Sequence, residues 1–350
     1  MCDTQKSAIG GDVLRGAALA LTALAFVRPQ EAVQGALDGL SICARQVIPA
    51  LFPLMVLSQL LLTSGAAAMF AFPLRAYTRV LGVHSPSAGS AVALGWLGGF
   101  ACGAQQIGSL RRQEVITRRD AELLLCCTIG SGPAFVVNAV GTLMLGSTLC
   151  GALLLTSLLA ANLVTGIVMS RILKCGSHPD ALPRSPVPTS FPDAVRSAAE
   201  AMLTLCGFVV FFSFASRVFF PPQSPFFLRW AAAALLEVTN ACRTAAISGG
   251  SARVALCCLS LSLLGASVLF QIRSLLPDDV RLTPLVLSRL IHAPVSLACL
   301  ALLLRIFPSA VPACAPARMW MPADAATSVF LMLCVVLFSF PRLRRNENRV

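Results

Sequence analysis

Charge is scarce in this chain. Asp, Glu, Lys and Arg make up 12% of its 350 residues, against about 25% in a soluble globular domain. Hydrophobic residues make up 57%, and the mean hydropathy is +0.80. This excludes a soluble protein with an ordinary solvated surface and points to a polytopic membrane protein. The length accommodates about ten spans with short loops and leaves no room for a sizeable soluble domain.

Lysine is almost missing. Lys6 and Lys174 are the two in the chain, and the other basic residues are Arg. The net charge of +12 raises a nucleic-acid partner, but no basic face interleaved with aromatics on a soluble fold is present to bind one. The arginines are read instead as flanking membrane segments and contacting anionic headgroups. There is no CxxC spacing and no His cluster, so no metal centre is expected. The 14 cysteines include the adjacent pairs Cys126-Cys127 and Cys257-Cys258, and most sit in apolar runs as small hydrophobes. No HExxH or GxSxG appears, so neither an enzyme nor a cofactor is expected. No small-residue cleavage site precedes Arg28-Pro29, and Asp12 and Arg15 interrupt the run before it. Residues 8–27 therefore read as an uncleaved first span.

Along the rest of the chain, 31–46 is amphipathic, with Val33, Leu37, Leu40 and Val47 on one face, and suits an interfacial helix. A span follows from Pro49 to about 63, then a short apolar segment, 66–74. Two broken apolar segments come next, 88–110 and 121–146, on either side of a charged connection, and then an ordinary span at 149–172. The Pro- and Ser-rich stretch 174–192 reads as a linker. After it come an amphipathic start at 193–202 and spans at 203–220, 226–247, 253–272, 285–307 and 325–340, with an Arg-rich tail.

Two stretches match across the linker. EAVQGALDGL (31–40) aligns with DAVRSAAEAM (193–202), and QIGSL (106–110) aligns with QIRSL (271–275). The expected architecture is all-α and polytopic, with two repeated halves meeting at the membrane centre, as in many transporters. The halves are expected to be inverted. Inversion needs an odd number of crossings between equivalent points, which the count gives only if 66–74 crosses or one broken segment is re-entrant. The divisions are 1–30, 31–173, 174–192, 193–307 and 308–350.

Lipid cannot satisfy a free backbone N–H or C=O, so irregular backbone at membrane depth survives only where protein buries it or solute reaches it. The breaks are therefore the candidate site. Gly98-Gly99 and Gly103 interrupt the first segment, and Gly99 to Gly103 also has the GxxxG spacing of close helix packing. Gly130-Ser131-Gly132-Pro133 interrupts the second. A helix restarting at Pro133 would direct its positive end at a polar or anionic solute, with Ser131 and Asn138 adding contacts. Glu237 lies in an apolar run beside Thr239 and Asn240. It is either a proton or cation coupling site or one half of an ion pair with Arg243 or Arg289. Arg289 and His292 share a helical face, where the guanidinium could hold an anion. Gln106 and Gln271 occupy matching repeat positions.

The runs GGFACGAQQIGSL and LLLCCTIGSGPAFVVNAVGTLMLGSTLCGALLL, with LLEVTNA and RLIHA in the second half, resemble the nucleoside-transporter/FeoB Gate domain superfamily. The likeness is to its sporulation integral membrane protein branch. It extends from about 33 to 304, with Ser-Gly-Pro-x-Phe as the most specific string. It implies a repeated broken-helix fold similar to concentrative nucleoside transporters. It also implies plasma-membrane transport of a small polar or anionic organic solute during spore development, with dipicolinate as the suspected cargo. The branch reads Gly-Tyr-Pro where this chain has Gly99-Phe100-Ala101. The expected partners are the lipid bilayer and that solute, with a homo-oligomer left open. The alternative is a non-transporting membrane scaffold that reuses the same fold.

Overall fold

The computed structural model of the chain describes residues 2–63, 67–173, 190–249 and 252–310. Most of the linker at 174–192, and the span at 325–340 with its basic tail, lie outside the described residues. Helix α1 is Cys2–Val27. Helix α2, Pro29–Ile42, passes through a π-helical turn, π1 (Cys43–Val47), into α3, Ile48–Thr63. Then come α4 (Ala67–Val80), α5 (Pro86–Gly98), α6 (Phe100–Arg112), α7 (Arg118–Thr128), a π-helical segment π2 (Ala134–Met144) and α8 (Thr148–Leu173). The second half holds α9 (Phe191–Phe219), α10 (Phe226–Leu236), α11 (Val238–Ala246), α12 (Ala252–Leu263), α13 (Gly265–Leu275) and α14 (Thr283–Ile306), closed by a short turn at Pro308–Ala310. No strand occurs among the described residues.

About 20 apolar residues span the hydrocarbon of a bilayer. Among the described residues, four helical runs meet that length: α8 (26 residues), α9 (29 residues), Ala252–Leu275 (24 residues) and α14 (24 residues), with mean hydropathies of 1.8–2.0. Large apolar side chains cover their outer surfaces, among them Phe211, Leu290 and Leu302. The interior, in contrast, holds Gln106, Glu237, Gln271, Arg289 and His292. Apolar outside and polar inside is the arrangement a lipid solvent selects. The chain is an all-α, polytopic, integral membrane protein.

The broken segments are of two kinds. In the first, α5 and α6 fold back on each other as a hairpin with Gly99 at the tip. A Cβ added to Gly95 would lie 3.0 Å from the Gly103 Cα, whereas a continuous helix would hold residues eight apart at about 12 Å. Each arm has 13 residues, or about 20 Å, which is too short to cross alone. The pair α10 and α11 is also a hairpin, with Glu237 at its tip. Arg229 near the start of α10 and Arg243 near the end of α11 line the same depression. The sequence reads 226–247 as one span. One extended residue, Glu237 (φ −149°, ψ 118°), instead turns the chain back toward the end it came from. In the second kind, the chain breaks and carries on. α7 continues past 129–132 into π2, and α12 continues past Leu264 (φ 71°) and Gly265 (φ 77°) into α13.

Hydrogen bonds fix the two ends of the molecule. At one end, Arg112 Nη1 donates to Leu275 O at 3.0 Å, Arg111 pairs with Asp279 at 2.9 Å, and Arg281 N donates to Glu122 Oε1 at 3.1 Å. The ends of α6 and α13 and the starts of α7 and α14 therefore lie together. The matched strings QIGSL and QIRSL sit in elements of different kind, a hairpin arm and the second part of a broken crossing, and finish at this same end. At the opposite end, Arg217 bonds Glu31 at 2.7 Å and Asp38 at 2.9 Å, and Arg28 reaches Val218 O at 3.1 Å. Thus α2 starts where α9 finishes, and the two run antiparallel. Gly39 lets them touch, since a Cβ there would meet the Val210 Cα at 2.7 Å. The segment 31–46, read from sequence as interfacial, and the amphipathic start 193–202 are parts of these longer packed helices. The π-helical turn π1 carries the chain from α2 into α3 just before Pro49.

Candidate functional site

The four breaks meet. A Cβ on Gly99 would stand 3.0 Å from Gly132 N, so the tip of the first hairpin touches the break between α7 and π2. A Cβ on Gly265 would stand 3.3 Å from Glu237 N, so the tip of the second hairpin touches the break between α12 and α13. Gly99 adopts φ +82°, ψ −172°, a region essentially reserved for glycine. Between the two pairs lies a cavity of about 40 Å3, lined by Gly99, Ser131, Gly132, Glu237, Thr239 and Gln271, with Val47, Val209 and Phe135 on its apolar side. Space of this size admits a water molecule or a small ion.

At two of the breaks, distant or local side chains serve the main-chain groups left open, as burial in lipid demands. At the end of α7, Leu125 O accepts from Ile129 N at 3.1 Å. Cys127 O accepts from the Trp96 indole at 2.9 Å. Cys126 O and Ile129 O accept from the Arg289 guanidinium at 3.0 and 3.4 Å, while Ser288 Oγ takes its Nε at 3.2 Å. At the start of α11 the carboxylate of Glu237 does the reciprocal job. Oε1 accepts from Thr239 N at 3.0 Å and Oε2 from Asn240 N at 2.7 Å. A negative group at a helix start and a positive one at a helix end both oppose the helix dipole. Glu237 makes no ion pair among the described residues; main-chain N–H groups compensate its charge.

Of the residues singled out from sequence, Gly99, Ser131, Gly132, Glu237, Thr239 and Gln271 share the cavity. Gln271 is 1% exposed and donates to Ser267 Oγ at 2.9 Å, while its Oε1 has no hydrogen-bond partner. It offers the cavity an acceptor in need of a donor or cation. The others lie elsewhere. Gly103 packs against Gly95 and Thr128 inside the first hairpin, the close-packing reading of its GxxxG spacing. Gln106 is buried on α6. Pro133 starts π2 and is half-buried, and Asn138 is exposed because the wider π-helical turn carries it outward. Asn240 turns away from the cavity and bonds Ser213 Oγ at 2.9 Å. Arg289 and His292 are buried on α14 behind α7, where the guanidinium caps a helix end. Sequence reading missed Trp96 as a cap. An indole beside a break is the signal that could have found it, since a buried indole N–H seeks an acceptor.

No known family profile matches the chain, and no solved structure does. The chain is 28% identical over 222 residues, 57% of its length, to the sporulation integral membrane protein YlbJ of Bacillus subtilis (strain 168). It spans about half, 54%, of that relative's length. The chain is thus an integral membrane protein similar in sequence to a sporulation integral membrane protein.

Proposed function

We propose that the chain is a plasma-membrane permease for a small polar or anionic organic solute, working in spore development. The observation that carries this reading is the convergence of four chain breaks on one cavity, to whose mainly apolar lining Ser131, Glu237, Thr239 and Gln271 add polar groups. A membrane protein that needed only stability would satisfy its backbone with unbroken helices. The order of elements supports a pair of inverted halves. Apart from α4, which has no counterpart among the described residues of the second half, each half runs as a long helix, a hairpin, a broken crossing and an unbroken crossing: α2–α3, α5–α6, α7–π2 and α8, then α9, α10–α11, α12–α13 and α14. The two hairpins enter from opposite ends, as an inverted pair requires. This order is also what the resemblance to the Gate superfamily implies, and the similarity to a sporulation protein supports the setting. Dipicolinate remains the cargo suggested by that branch. No catalytic reaction is assigned.

Transport requires the hairpin tips to part, since the cavity in this conformation is smaller than any organic solute. The same tightness supports a second reading, a non-transporting scaffold with packed breaks. Uptake by proteoliposomes separates the two. A panel of labelled small carboxylates, pyridine dicarboxylates and nucleosides should include a solute that enters above the level of empty vesicles. Gln271→Leu should reduce that uptake at least tenfold while leaving the protein folded. Uptake equal to empty vesicles across the panel favours the scaffold.

A further inference from the structure

At the end where α9 finishes, a depression of about 300 Å3 opens between α9, the second hairpin and π2. That is the size of a small-ligand pocket. Arg217, Arg229 and Arg243 reach it. Glu31 and Asp38 both sit on Arg217. Arg229 spends one nitrogen on Pro222 O at 2.9 Å, and its Nε is buried without a partner. Neither Arg229 nor Arg243 has a carboxylate partner among the described residues. The apolar part of its lining is Leu143, Met144, Phe220 and Ile247. Two guanidiniums without an ion-pair partner in a depression that is otherwise partly apolar suit a carboxylate on an apolar body.

The depression and the inner cavity are neighbours along two helices. On α9, Val209 lines the inner cavity, while Ser213, Ser216 and Arg217 line the outer depression. On the second hairpin, Glu237 and Thr239 face inward, and Asn240 and Arg243 face outward. The bond from Asn240 Nδ2 to Ser213 Oγ, 2.9 Å long, closes the boundary. The main-chain N of the same Asn240 is held by Glu237 Oε2.

We infer that this vestibule is an outer binding site for a small carboxylate with an apolar body, held by Arg229 and Arg243. The Asn240–Ser213 pair is the partition between it and the inner cavity. The partition's role rests on the transport reading; the binding site does not.

The test is calorimetric titration of the full chain, in phosphatidylcholine nanodiscs, with benzoate and its neutral isostere benzamide. Benzoate should bind and benzamide should not. Arg229→Gln and Arg243→Gln should each weaken benzoate about tenfold, and Arg243→Lys should recover part of the loss. Melting curves check that the variants fold, and the salt dependence of wild-type binding gives a second measurement without mutation. Affinity should fall as ionic strength rises. Equal binding of benzoate and benzamide, unchanged affinity in both folded Gln variants, or salt-insensitive binding overturns the site. Repeating the titration with phosphatidylglycerol present should leave the benzoate affinity unchanged; loss of binding there makes a lipid headgroup the occupant and overturns it as well. Benzoate binding that needs Arg243, in a protein that transports nothing, leaves the vestibule standing and removes the transport reading. Uptake that persists while both folded Gln variants bind benzoate as tightly as wild type does the opposite.

Discussion

Glu237 and Arg289 are the most deeply buried charged residues among those described, and both are occupied by main chain. Arg289 donates to two carbonyls at the end of α7. Arg289→Met should strand them, at a cost of about 1–3 kcal/mol for each buried acceptor left unpaired. A drop in melting temperature in detergent checks this, and an unchanged melting curve would show that the carbonyls find other donors. Glu237→Ala should remove both cap bonds of α11 and cost about 1–2 kcal/mol. Glu237→Gln, which keeps one acceptor oxygen, should lose less. The order of the two melting temperatures decides, and equal values for both variants and wild type would show that the cap contributes nothing.

At the scale of elements, the hairpins depend on single positions. Gly99 holds a backbone conformation closed to other residues and touches Gly132. Gly99→Ala should cost about 1–3 kcal/mol in strain and push the first hairpin tip away from the second break. Faster proteolysis in the loops joining these elements, together with lower thermal stability, would report it; wild-type behaviour on both measures would mean the contact is slack. The hairpin reading itself has a direct check. Gln223 and Gly249 flank α10 and α11, so cysteines placed there should react with a membrane-impermeant maleimide from one side. A continuous span would label them from opposite sides. His84 and Gln113, which flank α5 and α6, should also share a side.

At the scale of the whole molecule, the ion pairs sort into two ends. Arg111, Glu122 and Asp279 cluster at one, and Glu31, Asp38 and Arg217 at the other. Cysteines at Gln113 and Asp278 should therefore label from the side opposite to Gln223 and Gly249. Labelling of all four from one side would dissolve the inverted arrangement of the halves. The strings QIGSL and QIRSL lie in a hairpin arm and in part of a crossing helix and end at the same face. The strings 31–40 and 193–202 lie in α2 and α9.

Composition alone determined that the chain lives in lipid, and helix-breaking residues determined where its helices stop. Gly99 and Gly132 were legible as breaks because lipid leaves an unpaired backbone group no cheap alternative, whereas Glu237 read only as a polar residue inside a single span and the structure showed it to be a break. The path of the chain beyond a break was not legible. Whether the chain reverses, as at Gly99 and Glu237, or carries on, as at Gly132 and Gly265, depends on which neighbour supplies the missing hydrogen bonds. Those donors and acceptors come from distant segments: Trp96 and Arg289 for α7, the carboxylate of Glu237 for α11. Only the assembled structure brings them together, and only there do the six cavity residues separate from the guanidiniums of the vestibule.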